Sequence, residues 1–247
     1  MSKEILGGKN VALEILRAGR RKVFRIFWAR RAKEAASEEL VQLAQNKNIP
    51  IQDASPEKIS HLCGTQEHQG VAVEVSAFEY ADFGDVVQKT LKRPKGGFLV
   101  LLDEIQDPHN VGALMRTAHL CGASGVVLLK HRQALVTNAV CKAAAGAQEY
   151  LPIVQETNLV NVINYLKDKE FFVWGAAGEG VSLDQQKPVF PLALVVGSEG
   201  RGLRRLVREH CDALVSIPME GAVGSFNVSV AGGILMAEIA KARRLTP

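Results

Sequence analysis

Short apolar runs alternate with amphipathic stretches through residues 98–247. The apolar runs are FLVLLD (98–103), GVVLL (125–129), FFVWGAA (171–177), LALVVG (192–197) and ALVSIP (213–218). They do not alternate apolar with polar positions, which is typical of strands buried on both faces of a sheet. Helical patterns separate most of the runs, at residues 111–121, 134–147, 157–169, 201–209 and 227–243. This part of the chain is therefore predicted to be an α/β domain with a mostly parallel sheet.

Residues 1–76 have a more mixed pattern. It predicts helices over residues 10–19, 37–48 and 55–64, and strands over residues 23–29, 49–54 and 69–77. Ser55 is suited to cap the third helix, because Pro56 follows it at the first helical position. The stretch after these elements ends in LKRPKGG (91–97), a composition typical of a linker. We predict a small α/β domain at 1–76, a linker at 77–97 and a larger domain at 98–247.

The composition is that of a soluble globular protein, with 47% hydrophobic and 23% charged residues in 247. No uncharged apolar stretch reaches the ~18 residues of a membrane span. The N-terminal MSKEILGGKN lacks the apolar core of a signal peptide, so we expect a cytoplasmic protein. The four cysteines form no CxxC pair, and neither a metal site nor a disulfide is predicted.

The net charge of +4 is modest, but residues 16–33 hold eight basic residues and no acid. Phe24, Phe27 and Trp28 lie among them. A basic segment of this kind attracts the phosphates of nucleic acids. The same pattern also suits a helix and a strand with one solvated basic face. The candidate RNA-binding residues are Arg17, Arg20, Arg21, Lys22 and Arg25.

Polar and glycine-rich loops follow three of the predicted strands: DEIQDPHNVG (103–112), GSEGRG (197–202) and PMEGAVGSFN (218–227). Ligands of parallel sheets bind at these strand ends. The loops carry neither GxxxxGK[ST] nor GxGxxG, so a phosphate cradle is not indicated. Glycine lets the backbone approach an adenine edge, and Ile217, Met219 and Phe226 can supply apolar walls. S-adenosyl-L-methionine fits this description.

Three segments resemble the motifs of the SpoU/TrmH branch of the SPOUT RNA 2′-O-methyltransferases. They are LDEIQDPHNVGALMRTAHLCG (102–122), LVVGSEGRGL (194–203) and SIPMEGAVGSFNVSVAGGI (216–234). The front domain, with GGKNVALEILRAG (7–19) and HQGVAVEV (68–75), resembles the substrate-binding domain of this family. One departure is Phe226, which stands where the family usually has leucine.

The resemblance implies a trefoil-knotted SPOUT domain that works as a homodimer through its C-terminal region. It also implies S-adenosylmethionine as cofactor and 2′-O-methylation of a guanosine ribose in 23S rRNA. Two alternatives stay open. One is a tRNA ribose 2′-O-methyltransferase, and the other is a non-catalytic RNA-binding or ribosome-assembly protein on the same fold.

The resemblance places Arg116 at the ribose 2′-hydroxyl. Family proposals make it a general base, but a guanidinium stays protonated, so clamping an RNA phosphate is an equally physical role. Asn110 is expected before a helix, as its N-cap or as a partner that holds Arg116.

Glu199 is expected to open a helix, where a carboxylate complements the dipole, or to join a polar network in the active site. Ser225 and Asn227 precede the last predicted helix and can cap it or bond near the cofactor. The predicted cofactor-binding residues are Gly197, Ile217, Met219 and Phe226, with backbone contacts to adenine from Ile217 and Phe226.

Overall fold

The computed structural model describes residues 2–29 and 35–245. In chain order its elements are β1 (Lys3–Gly7), α1 (Lys9–Ala18), β2 (Val23–Trp28), α2 (Ala35–Asn46), β3 (Ile51–Asp53), α3 (Pro56–Cys63), β4 (Val71–Ser76), α4 (Phe83–Leu91), β5 (Phe98–Asp103), α5 (Pro108–Leu120), β6 (Gly125–Leu129), α6 (Asn138–Ala143), a 3₁₀ turn (Ala147–Glu149), β7 (Ile153–Glu156), α7 (Leu159–Asp168), β8 (Phe172–Ser182), β9 (Leu192–Gly197), α8 (Arg205–His210), β10 (Ala213–Ser216) and α9 (Val228–Leu245).

These elements form two compact units. The first comprises Met1–Glu79 and Val136–Tyr150, and the second comprises Tyr80–Leu135 and Leu151–Pro247. Among the described residues, no helix combines the length and the apolar composition that a bilayer crossing requires.

The second unit contains a six-stranded sheet in the order β10-β8-β9-β5-β6-β7. All of its strand pairs are parallel. Every residue of β5, β6 and β9 is buried, which explains their uninterrupted apolar sequences. The predicted α/β class with a parallel sheet is confirmed, and β5, β6 and β9 have the predicted bounds. The trefoil knot stays a prediction.

Helix α4 lies within residues 77–97, where the sequence suggested a linker. Asp82 caps it by accepting from the backbone N–H of Asp85, and its Val86 and Val87 are buried in the core of the second unit. The linker-like composition of LKRPKGG describes only the loop that follows the helix. The apolar residues of α4 do have helical spacing, at Phe83, Val86, Val87 and Leu91, but the linker prediction rested on the Pro, Gly and charged residues that follow them.

The first unit has a four-stranded sheet in the order β1-β4-β2-β3. Strand β4 is antiparallel to both β1 and β2, and β2 is parallel to β3. The predicted small α/β architecture is confirmed. Ser55 caps α3 as expected, since its side chain accepts from the backbone N–H of Lys58. Strand β1 was not predicted.

The segment Val136–Tyr150 belongs to the first unit, although the sequence assigned it to the larger domain. The side chain of Asn138 accepts from the backbone N–H of Gly7 at 2.9 Å and donates to the carbonyl of Cys63 at 3.1 Å. Gly146 has a φ of 88°, and a Cβ there would lie 2.4 Å from the Cβ of Glu14. The first unit is therefore built from two separate stretches of chain.

Arg21 lies inside the first unit, with only 3% of its side chain exposed. Its guanidinium is 2.5 Å from a carboxylate oxygen of Glu4 and 3.7 Å from one of Glu149, and its Nε donates to the carbonyl of Ser76 at 2.8 Å. Burial raises the pKa of the Glu149 carboxyl, and the Arg21 guanidinium opposes that rise. A buried side chain cannot contact RNA, so the prediction of Arg21 as an RNA-binding residue is corrected to a structural role.

We expect Arg21→Met to lower the free energy of unfolding by about 3–5 kcal/mol at pH 7, since it leaves Glu149 buried without its partner. When folding raises the pKa of a carboxyl, the folded state loses stability as the pH rises above the pKa of that carboxyl in the unfolded chain, about 4.3. The destabilisation should therefore be smaller at pH 5 than at pH 8. Urea unfolding followed by circular dichroism measures both.

The double variant Arg21→Met/Glu149→Gln should show no such pH dependence, because it has no buried carboxyl left to ionise. Arg25→Met is the matched control, since Arg25 is exposed. Equal destabilisation of Arg21→Met at both pH values would contradict the role given to Glu149.

Candidate functional site

A cavity of about 390 Å³ lies at the carboxyl ends of strands β9 and β10 and beside the middle of β8 in the second unit. It is lined by residues 176–179, 196–202, 215–217, 219, 224–226, 228, 231 and 235. Two of the three predicted polar loops, 197–202 and 218–227, form much of its wall. The third, 103–112, reaches it through hydrogen bonds. The structure thus gathers the three motif segments in one place.

Gly197 ends β9 at a point where the chain folds back on itself. The backbones of Ser198 and Gly202 exchange two hydrogen bonds, of 3.1 and 2.9 Å. A Cβ on Gly197 would lie 2.3 Å from the carbonyl carbon of Gly202, so only glycine fits here. The fold-back leaves Glu199 exposed on the loop, at the wall of the cavity.

Helix α8 begins at Arg205, so the expectation that Glu199 opens a helix is wrong. The tight turn between Ser198 and Gly202 occupies the residues that the helical pattern suggested. The carboxylate of Glu199 therefore interacts with side chains instead of with a helix dipole.

Asp103, at the end of β5, anchors the far side of this loop. It is fully buried and accepts from the backbone N–H of Arg204 at 2.9 Å and from its Nε at 2.6 Å. Asp103 is not among the predicted site residues. Its signal was available, since Asp103 is the one charged position of the otherwise apolar run FLVLLD.

Asn110 joins the other two motif loops. Its side-chain nitrogen donates to Glu199 Oε2 at 3.4 Å, and its oxygen accepts from Asn227 Nδ2 at 3.1 Å. The side chain is buried, and residues that are distant in sequence complete its hydrogen bonds. Such a satisfied network fixes the loops relative to one another.

Asn110 lies within the first turn of α5 and does not cap it. Asp107 is the N-cap, and its carboxylate accepts from the backbone N–H of His109 at 3.0 Å. Pro108 at the first helical position sets the start of the helix earlier than the sequence pattern suggested. The expected capping role of Asn110 is wrong, and its side chain is free to serve the network.

Asn227 caps α9, as expected. Its Oδ1 accepts from the backbone N–H of Ser229 at 2.9 Å, from the hydroxyl of Ser229 at 2.6 Å and from the backbone N–H of Val230 at 3.4 Å. The same side chain therefore both starts the helix and bonds to Asn110. Ser225 is exposed and lines the cavity, and it is not the residue that caps α9.

Arg116 lies further along α5, with its side chain exposed. Within the described ranges it forms no ion pair or hydrogen bond through its guanidinium. The structure does not bring it to Asn110, whose two polar atoms are engaged by Glu199 and Asn227. The guanidinium is thus available to a ligand that arrives from solvent.

The predicted apolar residues of the cofactor site lie at the cavity. Ile217 is half-buried, and Met219 and Phe226 remain 41% and 40% exposed. Exposed apolar side chains beside glycine-rich backbone give a surface that suits an aromatic ring with polar edges. Residues 176–179 of β8 were not predicted, because the apolar pattern of that strand ends at Ala177.

Thiolate chemistry is not favoured by any of the cysteines. Burial raises the pKa of Cys63 to about 11 and those of Cys141 and Cys211 to about 12. Burial also raises the pKa of Cys121. These thiols stay protonated at neutral pH, and a protonated thiol is a weak nucleophile.

The predicted basic segment is largely engaged within the first unit. Arg17 pairs with Glu14 and Glu39, and Arg25 pairs with Glu74 at 2.7 Å. Residues 30–33 of the segment lie outside the described residues. Carboxylates therefore already neutralise part of the positive charge in the described part of the segment. Less of this charge is available to RNA phosphates than the sequence suggested.

Two further residues of the segment also have partners in the first unit. Arg20 donates to the carbonyls of Glu79 at 2.8 Å and Gln148 at 3.3 Å. Lys22 lies over the ring of Phe24, 5.4 Å from its centre. Arg20 and Lys22 are exposed, and their contact with RNA stays a prediction.

Two family models match the chain. The SpoU rRNA Methylase family matches residues 97–237, and the RNA 2′-O ribose methyltransferase substrate-binding model matches residues 5–81.

Relatives match over nearly the whole length. A Bacillus subtilis (strain 168) protein, named as of the TrmH family of tRNA/rRNA methyltransferases, is 38% identical over 96% of this chain and 94% of its own. A tRNA/rRNA methyltransferase of Mycolicibacterium vanbaalenii is 38% identical over 98% of this chain and 77% of its own.

The fold is that of a solved structure, the SpoU methyltransferase AviRb from Streptomyces viridochromogenes in complex with AdoMet. The TM-score is 0.81 at 19% identity, with 99% of this chain and 92% of that chain covered. At this identity the likeness shows the fold.

We expect Gly197→Ala to weaken binding of S-adenosylmethionine at least tenfold, about 1.4 kcal/mol. The added methyl group meets the backbone of Gly202, which cannot rotate away, so the loop must move. Isothermal titration measures the affinity. Gly221→Ala is the control, because a Cβ there meets nothing within 4 Å. Equal affinity of both variants would show that the fold-back does not shape the binding cavity.

Asn227→Asp separates the two roles of that residue. The carboxylate keeps the cap of α9 but has no donor for Asn110, so methyl transfer should fall. The buried Asn110 oxygen then lacks its partner, so the free energy of unfolding should also fall, by about 1–3 kcal/mol. Asn227→Ala loses the cap as well, which should cost about 1 kcal/mol more. Thermal unfolding and methyl-transfer rates measure the two effects, and full activity of Asn227→Asp would exclude a role for the donor.

Proposed function

Since this chain belongs to the SpoU methylase family of RNA methyltransferases, we propose that it methylates the 2′-hydroxyl of a guanosine ribose in 23S rRNA, with S-adenosylmethionine as donor. The observation that carries the proposal is the hydrogen-bonded chain Glu199–Asn110–Asn227, which unites three motif loops beside one cavity. The match of residues 5–81 to a ribose methyltransferase substrate-binding model supports the ribose as acceptor.

The cavity fits the cofactor in size and chemistry. Its 390 Å³ lies within the usual range for small-molecule sites, roughly 300–1,000 Å³. Met219 and Phe226 would contact the adenine ring, and the backbones of Gly197 and Ile217 would reach its polar edge. When bound, S-adenosylmethionine supplies a methyl group on a sulfonium, an excellent leaving group.

The residues of the chain position the ribose and its hydroxyl. Arg116 would clamp an RNA phosphate next to the target with its planar guanidinium, since a protonated group cannot accept the hydroxyl proton. Asn110 and Asn227 would hold Glu199 and the Ser225 loop in the geometry that the acceptor needs. Orientation of this kind can supply several kcal/mol of the rate enhancement, up to roughly 7–11 kcal/mol.

The alternatives differ in substrate or in chemistry. A tRNA ribose methyltransferase would use the same site, and the relatives' names include both tRNA and rRNA. A non-catalytic RNA-binding protein has no need for a cofactor-sized cavity beside an ordered polar network. The family description names rRNA and so favours that substrate, which would place the protein in the cytoplasm.

A homodimer through α5 and α9 belongs to the same proposal. These helices pack on each other through Gly232, where a Cβ would lie 2.4 Å from a methyl carbon of Leu114. Near its start, α9 also carries an exposed apolar side chain, Val230, which is 49% exposed. A second copy of the chain would cover this side chain.

Methyl incorporation from labelled S-adenosylmethionine tests the function. Unmodified 23S rRNA should take up label at a ribose 2′-oxygen, and a tRNA pool should not. Arg116→Ala should abolish transfer while the cofactor affinity stays at the wild-type value, because Arg116 does not line the cavity. Lys187→Ala, which removes another exposed cation, is the control.

Label in tRNA alone would keep the mechanism and overturn the rRNA substrate. If neither RNA is labelled and the cofactor gives no thermal stabilisation, the RNA-binding alternative is favoured. A saturating cofactor at ~100 times its dissociation constant should stabilise the protein by ~2.7 kcal/mol. Parallel loss of cofactor affinity and transfer in Arg116→Ala would overturn the role given to that residue.

A further inference from the structure

A second concave surface of the second unit is lined almost entirely by cations. It has a volume of about 400 Å³ and is formed by Arg93, Pro94 and Lys95 after α4 and by Arg243 and Arg244 at the end of α9. We call these five residues the basic cleft. It shares no residue with the cavity at β9 and β10.

Two guanidinium groups of the basic cleft converge on one carbonyl oxygen. Arg93 Nη1 donates to the carbonyl of Gly122 at 2.7 Å and to the hydroxyl of Ser124 at 3.0 Å. Arg243 Nη1 donates to the same carbonyl at 3.3 Å. Gly122 has a φ of 76°, and a Cβ there would lie 3.1 Å from Arg243 Nη2. The guanidinium groups are thus held in place by neutral partners before any ligand binds.

The three guanidinium groups of the basic cleft have no acidic partner among the described residues. Arg93, Arg243 and Arg244 form no ion pair with an acidic side chain there. Burial and the nearby charges of Arg93 and Arg244 lower the pKa of Arg243. The fold therefore holds three like charges close enough to repel one another. In the first unit, by contrast, Arg17 and Arg25 each have a carboxylate partner.

We infer that the basic cleft binds phosphate groups of the RNA substrate's backbone. The inference rests on the proposed function for the identity of the polyanion. A guanidinium held in place can donate two parallel N–H bonds to the oxygens of a phosphate. Arg93 and Arg243 use only some of their N–H groups on protein acceptors, so the other N–H groups can donate to a ligand. None of the residues that line the basic cleft is aromatic, so a base cannot stack on a ring there, and the contact should be largely independent of RNA sequence.

Helix α9 connects the two sites. Its Val228 lines the cavity and its Arg243 lines the basic cleft, which places them about 22 Å apart along the helix axis at 1.5 Å per residue. A phosphate in the basic cleft is therefore remote from the reacting ribose. The basic cleft should affect how tightly and in which orientation RNA binds, and not the transfer of the methyl group itself.

The test compares two charge-matched double variants of the full chain. Arg93→Gln/Arg244→Gln removes two cations of the basic cleft, and Lys169→Gln/Lys187→Gln removes two exposed cations elsewhere in the second unit. RNA affinity is measured by fluorescence anisotropy of a labelled 23S rRNA fragment over a salt series, without cofactor. Each lost phosphate contact should reduce the slope of log K against log salt by about 1, so the first variant should lose about two.

The single variant Arg244→Gln guards against misfolding, because Arg244 is exposed, and it should lose about one unit of slope. The KM for RNA should rise in both basic-cleft variants while kcat and cofactor affinity stay near wild type. Unchanged slopes relative to the lysine control would overturn the inference. Because binding is read without methyl transfer, this result is distinguishable from a failure of the proposed function.

Inorganic phosphate distinguishes a free anion from an RNA phosphate as the ligand of the basic cleft. Phosphate could raise the melting temperature of the wild type but not of Arg93→Gln/Arg244→Gln, while the salt slopes of RNA binding are equal for the two proteins. In that case the basic cleft binds a free anion and the RNA assignment is wrong. A reduced slope on both rRNA and an unrelated RNA of the same length is the expected result, since the contact reads only the backbone.

Discussion

The site depends on one buried side-chain amide that uses both of its polar atoms. Asn110 holds Glu199 through its nitrogen and Asn227 through its oxygen, so one residue of α5 fixes the loop after β9 and the start of α9. A buried polar group left without its partner costs about 1–3 kcal/mol, which makes each of these contacts matter to the others. The parallel sheet makes the arrangement possible, because it delivers the three loops to the same edge.

The sequence predicts those parts of the fold where a single pattern decides the structure. Strands β5, β6 and β9 are buried on both faces, so their apolar runs mark both ends correctly. Strand β7 has only two buried residues, so its pattern is weak. The helical spacing of α4 is clear, but the linker-like residues that follow the helix drew attention away from it. Where burial depends on contacts with distant residues, as for the segment Val136–Tyr150, a local pattern carries no information.

The same division holds for the site. The motif loops and their approximate functions could be inferred from residue types and from the family resemblance, and the structure brings them together. The partners of individual side chains could not. Asn110 looked like a cap and instead joins three loops, whereas Arg17 and Arg25 of the basic segment looked free and each pairs with a carboxylate. Composition counts charges along the chain, and only the fold shows which of them already have a partner.

The order of synthesis has a consequence for the first unit. Its sheet is complete once Ser76 has been made, but Asn138 and Glu149, which bond to Gly7 and to Arg21, come much later in the chain. Nascent chains usually fold from the N-terminus, one domain at a time. Here the N-terminal unit must wait on the ribosome until Tyr150 has emerged, by which time β5 and β6 of the second unit are already present. The boundary that separates the two family models is therefore not a boundary at which the growing protein can finish folding.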